Sequence, residues 1–220
     1  MKKKVLITAG PTYEAIDPVR FIGNRSSGKM GIDIANTFVD ENYDVVLVLG
    51  PTSLKGLINS YVKIIDVESA QQMYEACLQH LDADIIIGAA AVADYKVAHY
   101  SEEKMKKTDD LTLQLERNVD ILFEIGKIKK ENQILVGFAL ETSNLIEYAK
   151  GKIAKKKLDI IVANYASAMN GDKNQITLIN KNDLDNPVEH PEAYKFINAT
   201  TIYKYIRNYE STYITSLKAV

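Results

Sequence analysis

Residues 5–12 read VLITAGPT, and this stretch decides the fold class. Residues 5–8 form a short apolar run typical of a buried strand, and the Gly-Pro pair at 10–11 ends it. A polar loop follows, and then residues 30–39 carry apolar side chains every fourth position, which predicts an amphipathic helix. A strand, a loop and a helix in this order indicate the first half of a βαβ unit.

The same alternation continues to the end of the chain. Helical patterns separate the later apolar runs. One of these helices is expected to begin with a capping box at Ser69 and Gln72, and another is expected to be capped by Asn118. The continuous apolar run at 85–93 is typical of a strand buried on both faces. We therefore predict a Rossmann-like, doubly wound, mostly parallel sheet with helices on both faces. The further strands are expected at 45–49, 62–67, 85–93, 134–140, 160–163 and, more weakly, 176–179.

Length and composition fit one globular domain covering residues 1–220. The formal net charge of -2 gives no general attraction to nucleic acid or to anionic lipid. No apolar stretch approaches the roughly 20 residues that cross a bilayer, and the N-terminal apolar run is too short for a signal peptide. We therefore expect a cytoplasmic protein without a nucleic-acid or membrane partner. The single cysteine, Cys77, lies in an apolar helical pattern and is expected to be buried.

Small and hydroxyl-bearing residues cluster where the first helix is expected to begin. Gly10 follows the first strand, and Ser26, Ser27 and Gly28 precede the helix. Unpaired backbone N–H groups and hydroxyls at such a turn are suited to bind phosphate. The alternative is a helix capped by Ser26 or Ser27, with glycine present for close packing.

Two patterns resemble nucleotide motifs only in part. Residues 23–29 match the beginning of a Walker A loop, but Met30 stands where that loop needs Ser or Thr for Mg²⁺. Tyr148 and Lys152 have the spacing of the short-chain dehydrogenases, without the glycine-rich first turn of that class. Both patterns are interpreted as coincidental.

A second group of polar residues follows the run at 85–93. Asp94 ends a stretch of small side chains, and it either caps a turn or binds a metal or polar substrate. Residues 96–107 are polar and lack periodicity, which is typical of a solvated surface or of a mobile lid. On a later helix Lys152 and Lys156 are four residues apart, so they share one face. They either complement the helix dipole or bind successive phosphates.

In order along the chain, these motifs resemble those of the phosphopantothenoylcysteine synthetases. Together they span about three-quarters of the sequence, between residues 5 and 164. The segments that carry the resemblance are residues 7–12, 14, 17–20, 24–31, 90–95, 104–107, 118, 120–121, 137–139, 141–142 and 159–164.

The resemblance implies a ligase that joins 4'-phosphopantothenate to L-cysteine in coenzyme A biosynthesis. In the bacterial members CTP activates the carboxylate as an acyl-cytidylate with loss of pyrophosphate, and the cysteine amine then displaces CMP. Mg²⁺ as the divalent cation and a homodimer are also implied. This chain begins at the first strand of the synthetase, so it resembles the monofunctional bacterial type, and no flavin is expected.

The resemblance also assigns roles to residues. Asn24 would handle the acyl-cytidylate, Arg20 would support the pantothenate side, and Lys104 would be the lysine of a flexible lid near 96–110. Ala90 and Ala91 fall where the family packs its dimer interface beside the substrate, and Asp94 would hold the cation. The residues expected to bind the nucleotide are Gly10, Ser26, Ser27, Gly28, Asp94, Asp120, Ile121, Phe138, Lys152 and Lys156.

Three residues depart from the family pattern. Gly23, Val119 and Leu140 replace residues that are more usual there, and each lies beside an expected functional residue without removing it. Two other hypotheses remain: a Rossmann-like nucleotide-binding protein with a regulatory or redox role, and a structural interaction protein. Only the ligase needs Asn24 and the lysine segment, which is the expected lid near 96–110 that carries Lys104, for turnover.

Overall fold

A computed structural model describes residues 2–106, 110–165 and 171–214. Lys107, the last residue of the segment 104–107 that carries part of the resemblance, lies outside this part of the chain. The helices are α1 Lys29–Asp40, α2 Ala70–Leu78, α3 Ile121–Ile128, α4 Leu145–Lys156 and α5 Lys195–Tyr209, with short helical turns at Lys55–Leu57 and Glu210–Ile214. The strands are β1 Lys4–Ala9, β2 Tyr13–Ala15, β3 Phe21–Gly23, β4 Asp44–Leu49, β5 Lys63–Asp66, β6 Ile85–Gly88, β7 Tyr95–Val97, β8 Leu115–Arg117, β9 Ile134–Glu141, β10 Ile160–Tyr165, β11 Lys173–Asn180 and β12 Asp183–Tyr194.

Eight strands form the central sheet in the order β12-β11-β10-β9-β6-β1-β4-β5. The six strands from β10 to β5 are parallel, and β11 and β12 are added antiparallel at one edge. Counted along the chain, the parallel strands have the order 3-2-1-4-5-6 of the doubly wound dinucleotide-binding folds. The predicted fold class is confirmed.

Alternating side chains of the strands supply one apolar core to each face of the sheet. Ile7 of β1 points toward α1 and α5, where it joins the core that contains Phe38, and the adjacent Leu6 joins the core beneath α2, α3 and α4. Cys77 belongs to the second core and is fully buried, as predicted. Burial there raises the pKa of its thiol to about 12, so it is not a nucleophile near neutral pH.

Residues 89–93 do not continue the strand that their apolar sequence predicts. The strand β6 ends at Gly88, and the backbone then bends at Ala90 while it stays bonded to the end of β1 and to the loop that follows β1. The Ala89 N–H donates to the Thr8 carbonyl at 3.1 Å, and the Ala91 N–H donates to the Gly10 carbonyl at 2.9 Å. An apolar run has the same appearance whether it pairs with a strand or with a loop, so the sequence could not reveal this bend.

Two helices begin at residues other than the predicted caps. The N-cap of α1 is Gly28, in the left-handed region at φ 78°, and the Ser26 hydroxyl accepts a bond from the Gly28 N–H at 3.2 Å. The N-cap of α3 is Asp120 rather than Asn118, and its side chain accepts from the Phe123 N–H. The capping box that opens α2 is confirmed.

The sequence patterns missed two small hairpins and the edge strand β12. The strands β2 and β3 pair antiparallel, as do β7 and β8. Most of β12 is exposed, so it lacks the one-sided apolar pattern that marks a strand. Among the described residues, no helix combines the length and the hydropathy needed to cross a membrane.

Candidate active site

A cleft lies at the carboxyl edge of the sheet between β1 and β6, where the strand order reverses. In doubly wound sheets this is where ligands bind. The cleft contains two chambers that share a wall formed by Ala90, Ala91, Phe138 and Leu140. The serine chamber, of about 170 Å³, is further lined by Ser26, Ser27, Gly28, Lys29, Met30, Gly31, Ala89, Asn164, Asn174 and Lys195. The lysine chamber, of about 630 Å³, is further lined by residues that include Asn24, Asp94, Arg117, Asn118, Asp120, Ile121, Lys152, Lys155 and Lys156.

The residues predicted to bind one nucleotide are therefore divided between the two chambers. Ser26, Ser27 and Gly28 line the serine chamber, whereas Asp94 and the residues of α3 and α4 line the lysine chamber. Phe138 belongs to the common wall. Gly10, Arg20 and Lys104 are not among the lining residues of either chamber.

Close packing explains the glycines beside the serine chamber. A Cβ on Gly28 would lie 3.0 Å from the Gly10 nitrogen, and Gly28 has a φ of +78° that disfavours other residues. A Cβ on Gly31 would collide with the Cβ of Ala9. Glycine at these positions lets α1 begin directly against the loop after β1, so the close-packing part of that interpretation is confirmed, whereas the predicted serine cap is wrong. Close packing is compatible with phosphate binding.

Asn24 follows β3 and is fixed against the common wall. Its Nδ2 donates to the Ala91 carbonyl at 3.0 Å and to the Val92 carbonyl at 3.1 Å. Thr12 supports the same segment, since its hydroxyl accepts from the Ala93 N–H at 2.9 Å. With its amide protons used in this way, the Asn24 side chain presents a carbonyl oxygen whose position is set by the wall.

Both lysines of the α4 face reach the lysine chamber, and each is paired with a carboxylate. Lys152 Nζ lies 2.6 Å from Glu141 Oε1, and Lys156 Nζ lies 2.8 Å from Asp120 Oδ1. These pairs are partly exposed, so they are weak interactions. A polyphosphate offers stronger acceptors and could take the place of the carboxylates.

Asn118 carries a buried donor in the lysine chamber. Its Nδ2 is buried and has no hydrogen-bond partner among the described residues, while its Oδ1 accepts from the Val119 N–H at 3.0 Å. A buried donor without a partner is costly unless a ligand satisfies it. The sequence predicted that Asn118 caps α3, but the cap is Asp120. The unsatisfied Nδ2 makes Asn118 a candidate ligand-binding residue instead.

Two further lysines line the serine chamber, and sequence reasoning did not assign either of them. Lys29 Nζ lies 3.2 Å from Asp33 Oδ2, and Lys195 is 7% exposed at the first residue of α5. Burial raises the pKa of Asp33 and lowers the pKa of Lys195. Lys195 is distant from the serine turn in sequence, so no local pattern could have connected them.

Arg20 and Lys104 lie on the segments that flank the lysine chamber. The Arg20 guanidinium pairs with the buried Asp17 carboxylate and donates to the Met105 carbonyl at 3.0 Å. Lys104 is exposed. The predicted roles of both residues at the substrate stay predictions.

The residues of the lysine chamber fit a magnesium ion that is shared with a ligand. Within the described part of the chain, no three His, Cys, Asp or Glu side chains are grouped to hold a metal. Mg²⁺ is commonly bound by one or two carboxylates together with substrate phosphates and water. Asp94, at the chamber wall, can supply such a carboxylate.

Sequence comparison identifies the family. The model of the DNA/pantothenate metabolism flavoprotein C-terminal domain (DFP) matches residues 1–209. The chain belongs to the DFP family. The family resemblance drawn from the sequence motifs is thereby confirmed.

Individual relatives agree with this assignment to the DFP family. The chain is 50% identical over 188 residues to the Coenzyme A biosynthesis bifunctional protein CoaBC of Bacillus subtilis and 46% identical over 183 residues to that of Haemophilus influenzae. Each alignment covers 81% of this chain and 45% of the relative, so the chain spans about half the length of the curated relatives it matches. A crystal structure of the C-terminal domain of a CoaBC protein is 41% identical with a TM-score of 0.79, and 93% of each chain is covered.

Proposed function

We propose that this DFP-family domain is a phosphopantothenate–cysteine ligase of coenzyme A biosynthesis that uses CTP. The observation that carries the proposal is the lysine chamber, in which three lysines, two aspartates and an asparagine donor without a partner among the described residues converge beside Asn24. The match to the C-terminal domain of proteins named for coenzyme A biosynthesis supports the same pathway.

The chemistry requires positioned charge more than a side-chain nucleophile. A carboxylate becomes an acyl donor when one of its oxygens attacks the α-phosphorus of the nucleotide and pyrophosphate leaves. The cysteine amine then attacks the carbonyl carbon, and CMP leaves with the former carboxylate oxygen. Neither step oxidises or reduces the substrate, so the proposed reaction uses no flavin. Orientation and charge neutralisation supply most of the acceleration in such steps.

The roles of the residues follow from their chambers. Lys152 and Lys156 exchange Glu141 and Asp120 for phosphate oxygens of the nucleotide. Asn118 donates to an acceptor atom of the nucleotide. A bound Mg²⁺, held by Asp94 together with the phosphates, would supply further charge neutralisation.

The common wall is the proposed place where the two substrates meet. Ala90 and Ala91 leave room for the reacting carboxylate because their side chains are small. Asn24 presents its carbonyl oxygen there and can accept a bond from the attacking cysteine amine. Ser26 to Gly28 bind a phosphate in the serine chamber. Gly10 supports that turn by its close approach to Gly28.

Other features of the protein are proposed on the same basis. We propose that residues 1–220 form one synthetase domain, that the segment near 96–110 is its lid and that Arg20 and Lys104 contribute to the reaction. We also propose that the protein is cytoplasmic and acts as a homodimer with Ala90 and Ala91 near the interface.

The direct test measures pyrophosphate. Purified protein is given phosphopantothenate, cysteine and Mg²⁺ with CTP or ATP in turn, and pyrophosphate and the amide product are quantified. We expect pyrophosphate release with CTP, and we expect full turnover only when phosphopantothenate and cysteine are both present. Nucleotide binding without pyrophosphate release would instead favour a regulatory nucleotide-binding protein.

A matched pair of variants tests the role of Asn24. In Asn24→Ala, product formation should fall by about a hundredfold or more, whereas CTP affinity changes little. Asn36→Ala is the control, because the Asn36 side chain also donates to a backbone carbonyl, that of Leu57, but outside the cleft. Equal loss of product formation and of CTP binding in Asn24→Ala would identify Asn24 as a purely structural residue.

A further inference from the structure

The segment that carries Lys104 leaves the lysine chamber and returns to it. It starts after Asp94 with β7 and comes back through β8 to Asn118, whose N–H donates to the Asp94 carbonyl at 2.8 Å. The antiparallel pairing of β7 with β8 joins its two ends. The ends are therefore fixed at the chamber wall, and residues 98–106 form the described middle of the segment.

Three hydrogen bonds, at Ser101 and Met105, tie this middle part to the turn between β2 and β3. The Ser101 N–H donates to the Ile16 carbonyl at 3.1 Å. At Met105 both backbone polar atoms are used: the N–H donates to Asp17 Oδ2 at 3.1 Å, and the carbonyl accepts from Arg20 Nη2 at 3.0 Å. Asp17 and Arg20 thus clamp the residue next to Lys104.

The Asp17 carboxylate is itself rigidly held. Its side chain is fully buried, and Oδ1 accepts from the Val19 N–H at 2.8 Å and from the Arg20 N–H at 2.9 Å. Oδ2 accepts from Arg20 Nε at 3.0 Å. The Arg20 guanidinium, with these backbone donors, holds the pKa of Asp17 well below its usual range, so the clamp is charged at neutral pH.

The hairpin of β2 and β3, whose turn contains Asp17 and Arg20, ends beside Asn24. Asn24 directly follows β3, while the clamp lies in the turn at the other end of β2 and β3. The rings of Tyr13 and Phe21 stack across the hairpin with centroids 3.9 Å apart, which stiffens it. A short, braced hairpin therefore connects the clamp on the lysine segment to Asn24.

We propose that Asp17 is a positioning residue: with Arg20 it clamps Met105 and thereby sets where Lys104 meets the bound nucleotide. The proposal rests on the proposed ligase function. Asp17 itself touches no substrate and acts through the lysine segment. The clamp is a property of the protein without ligands, so it is testable apart from turnover.

Trypsin, which cleaves after lysine, probes the clamp at the Lys104–Met105 bond. In Asp17→Asn we expect cleavage at this bond to be about tenfold faster than in the wild type, because a charge-assisted hydrogen bond to Met105 is weakened. Asp159→Asn is the control: it also alters a buried carboxylate, one paired with Lys129 and Lys181 in front of β10. Equal cleavage rates in wild type and Asp17→Asn would overturn the clamp.

A double-mutant cycle with Lys104→Ala tests the positioning role. Asp17→Asn should lower kcat for pyrophosphate release about tenfold with KM for CTP within about twofold, and it should cause no further loss in the Lys104→Ala background. Asp159→Asn should leave both constants unchanged at a temperature where it is folded. Additive losses would overturn the proposal, since Asp17 would then act independently of Lys104.

The two experiments also separate the two proposals. If the wild type releases no pyrophosphate with any nucleotide, the proposed function fails, and the positioning role fails with it. Trypsin would still decide whether the clamp exists. If the wild type is an active ligase and the cycle is additive, only the positioning role of Asp17 fails.

Discussion

Gly126 of α3 allows two helices at the lysine chamber to touch. A Cβ built on Gly126 would lie 3.0 Å from the carbonyl carbon of Lys156 and closer still to its oxygen. The neighbour is backbone, so no side-chain rotation relieves the contact. In Gly126→Ala the end of α4, which carries Lys156, must therefore move by roughly 1 Å.

The cost can be estimated by comparison with a second helical glycine. Gly151 of α4 has nothing within 4 Å of a Cβ built on it, so Gly151→Ala adds helix propensity without a clash. We expect Gly151→Ala to raise the free energy of unfolding by up to about 1 kcal/mol. Gly126→Ala gains the same propensity but loses about 3 kcal/mol to overpacking, for a net loss of about 2 kcal/mol.

Urea unfolding of the two variants and the wild type measures these differences. Gly126→Ala should also bind CTP about tenfold more weakly, because the Lys156 ammonium is displaced from the chamber. Binding by Gly151→Ala should match that of the wild type. If Gly126→Ala is as stable as Gly151→Ala, the argument from close helix packing is wrong.

Two further predictions concern single polar groups. Asn118→Ala removes the hydrogen bond from the Val119 N–H to Oδ1, and it also removes the costly buried Nδ2 donor, which has no partner among the described residues. Because these two effects oppose each other, the free energy of unfolding of the unliganded protein should be nearly unchanged, whereas CTP binding measured by calorimetry should weaken. The pKa of Asp17 is lowered in the folded protein from 3.8, so its stabilisation is present above that pH and is lost as the pH falls toward the folded pKa. The difference in the free energy of unfolding between wild type and Asp17→Asn should therefore be constant from about pH 8 to pH 5 and should shrink below about pH 4. A difference that grows on acidification would contradict the lowered pKa of Asp17.

The fold was predictable because its determinants are local. Strands buried on both faces appear as apolar runs, and the helices between them have an apolar face, so the alternation alone indicates a parallel sheet. The capping box of α2 is similarly a four-residue pattern. The antiparallel strand β12 had no such signal, since its exposed residues do not alternate in hydropathy.

The site was predictable only in part, because its contacts are not local. Residue types near the ends of strands indicated where a ligand binds, and Asp94, Lys152 and Lys156 do share a chamber. The common wall of the two chambers includes Ala90 and Ala91, and an apolar sequence does not reveal that the strand ends before them, at Gly88. The clamp on Met105 joins residues 88 positions apart, and no sequence spacing predicts that contact.

The near-Walker pattern at residues 23–29 shows how one spacing can arise from unrelated packing needs. A Cβ on Gly23 would lie 2.6 Å from the Tyr13 ring, so this glycine serves the β2–β3 hairpin. Gly28 serves the left-handed start of α1, and Lys29 is paired with Asp33 within that helix. In a P-loop the glycine-rich backbone and the lysine all contact the phosphates of one nucleotide. Here the two glycines and the lysine belong to a hairpin, a helix start and an ion pair, and of these three only Gly28 and Lys29 line the serine chamber.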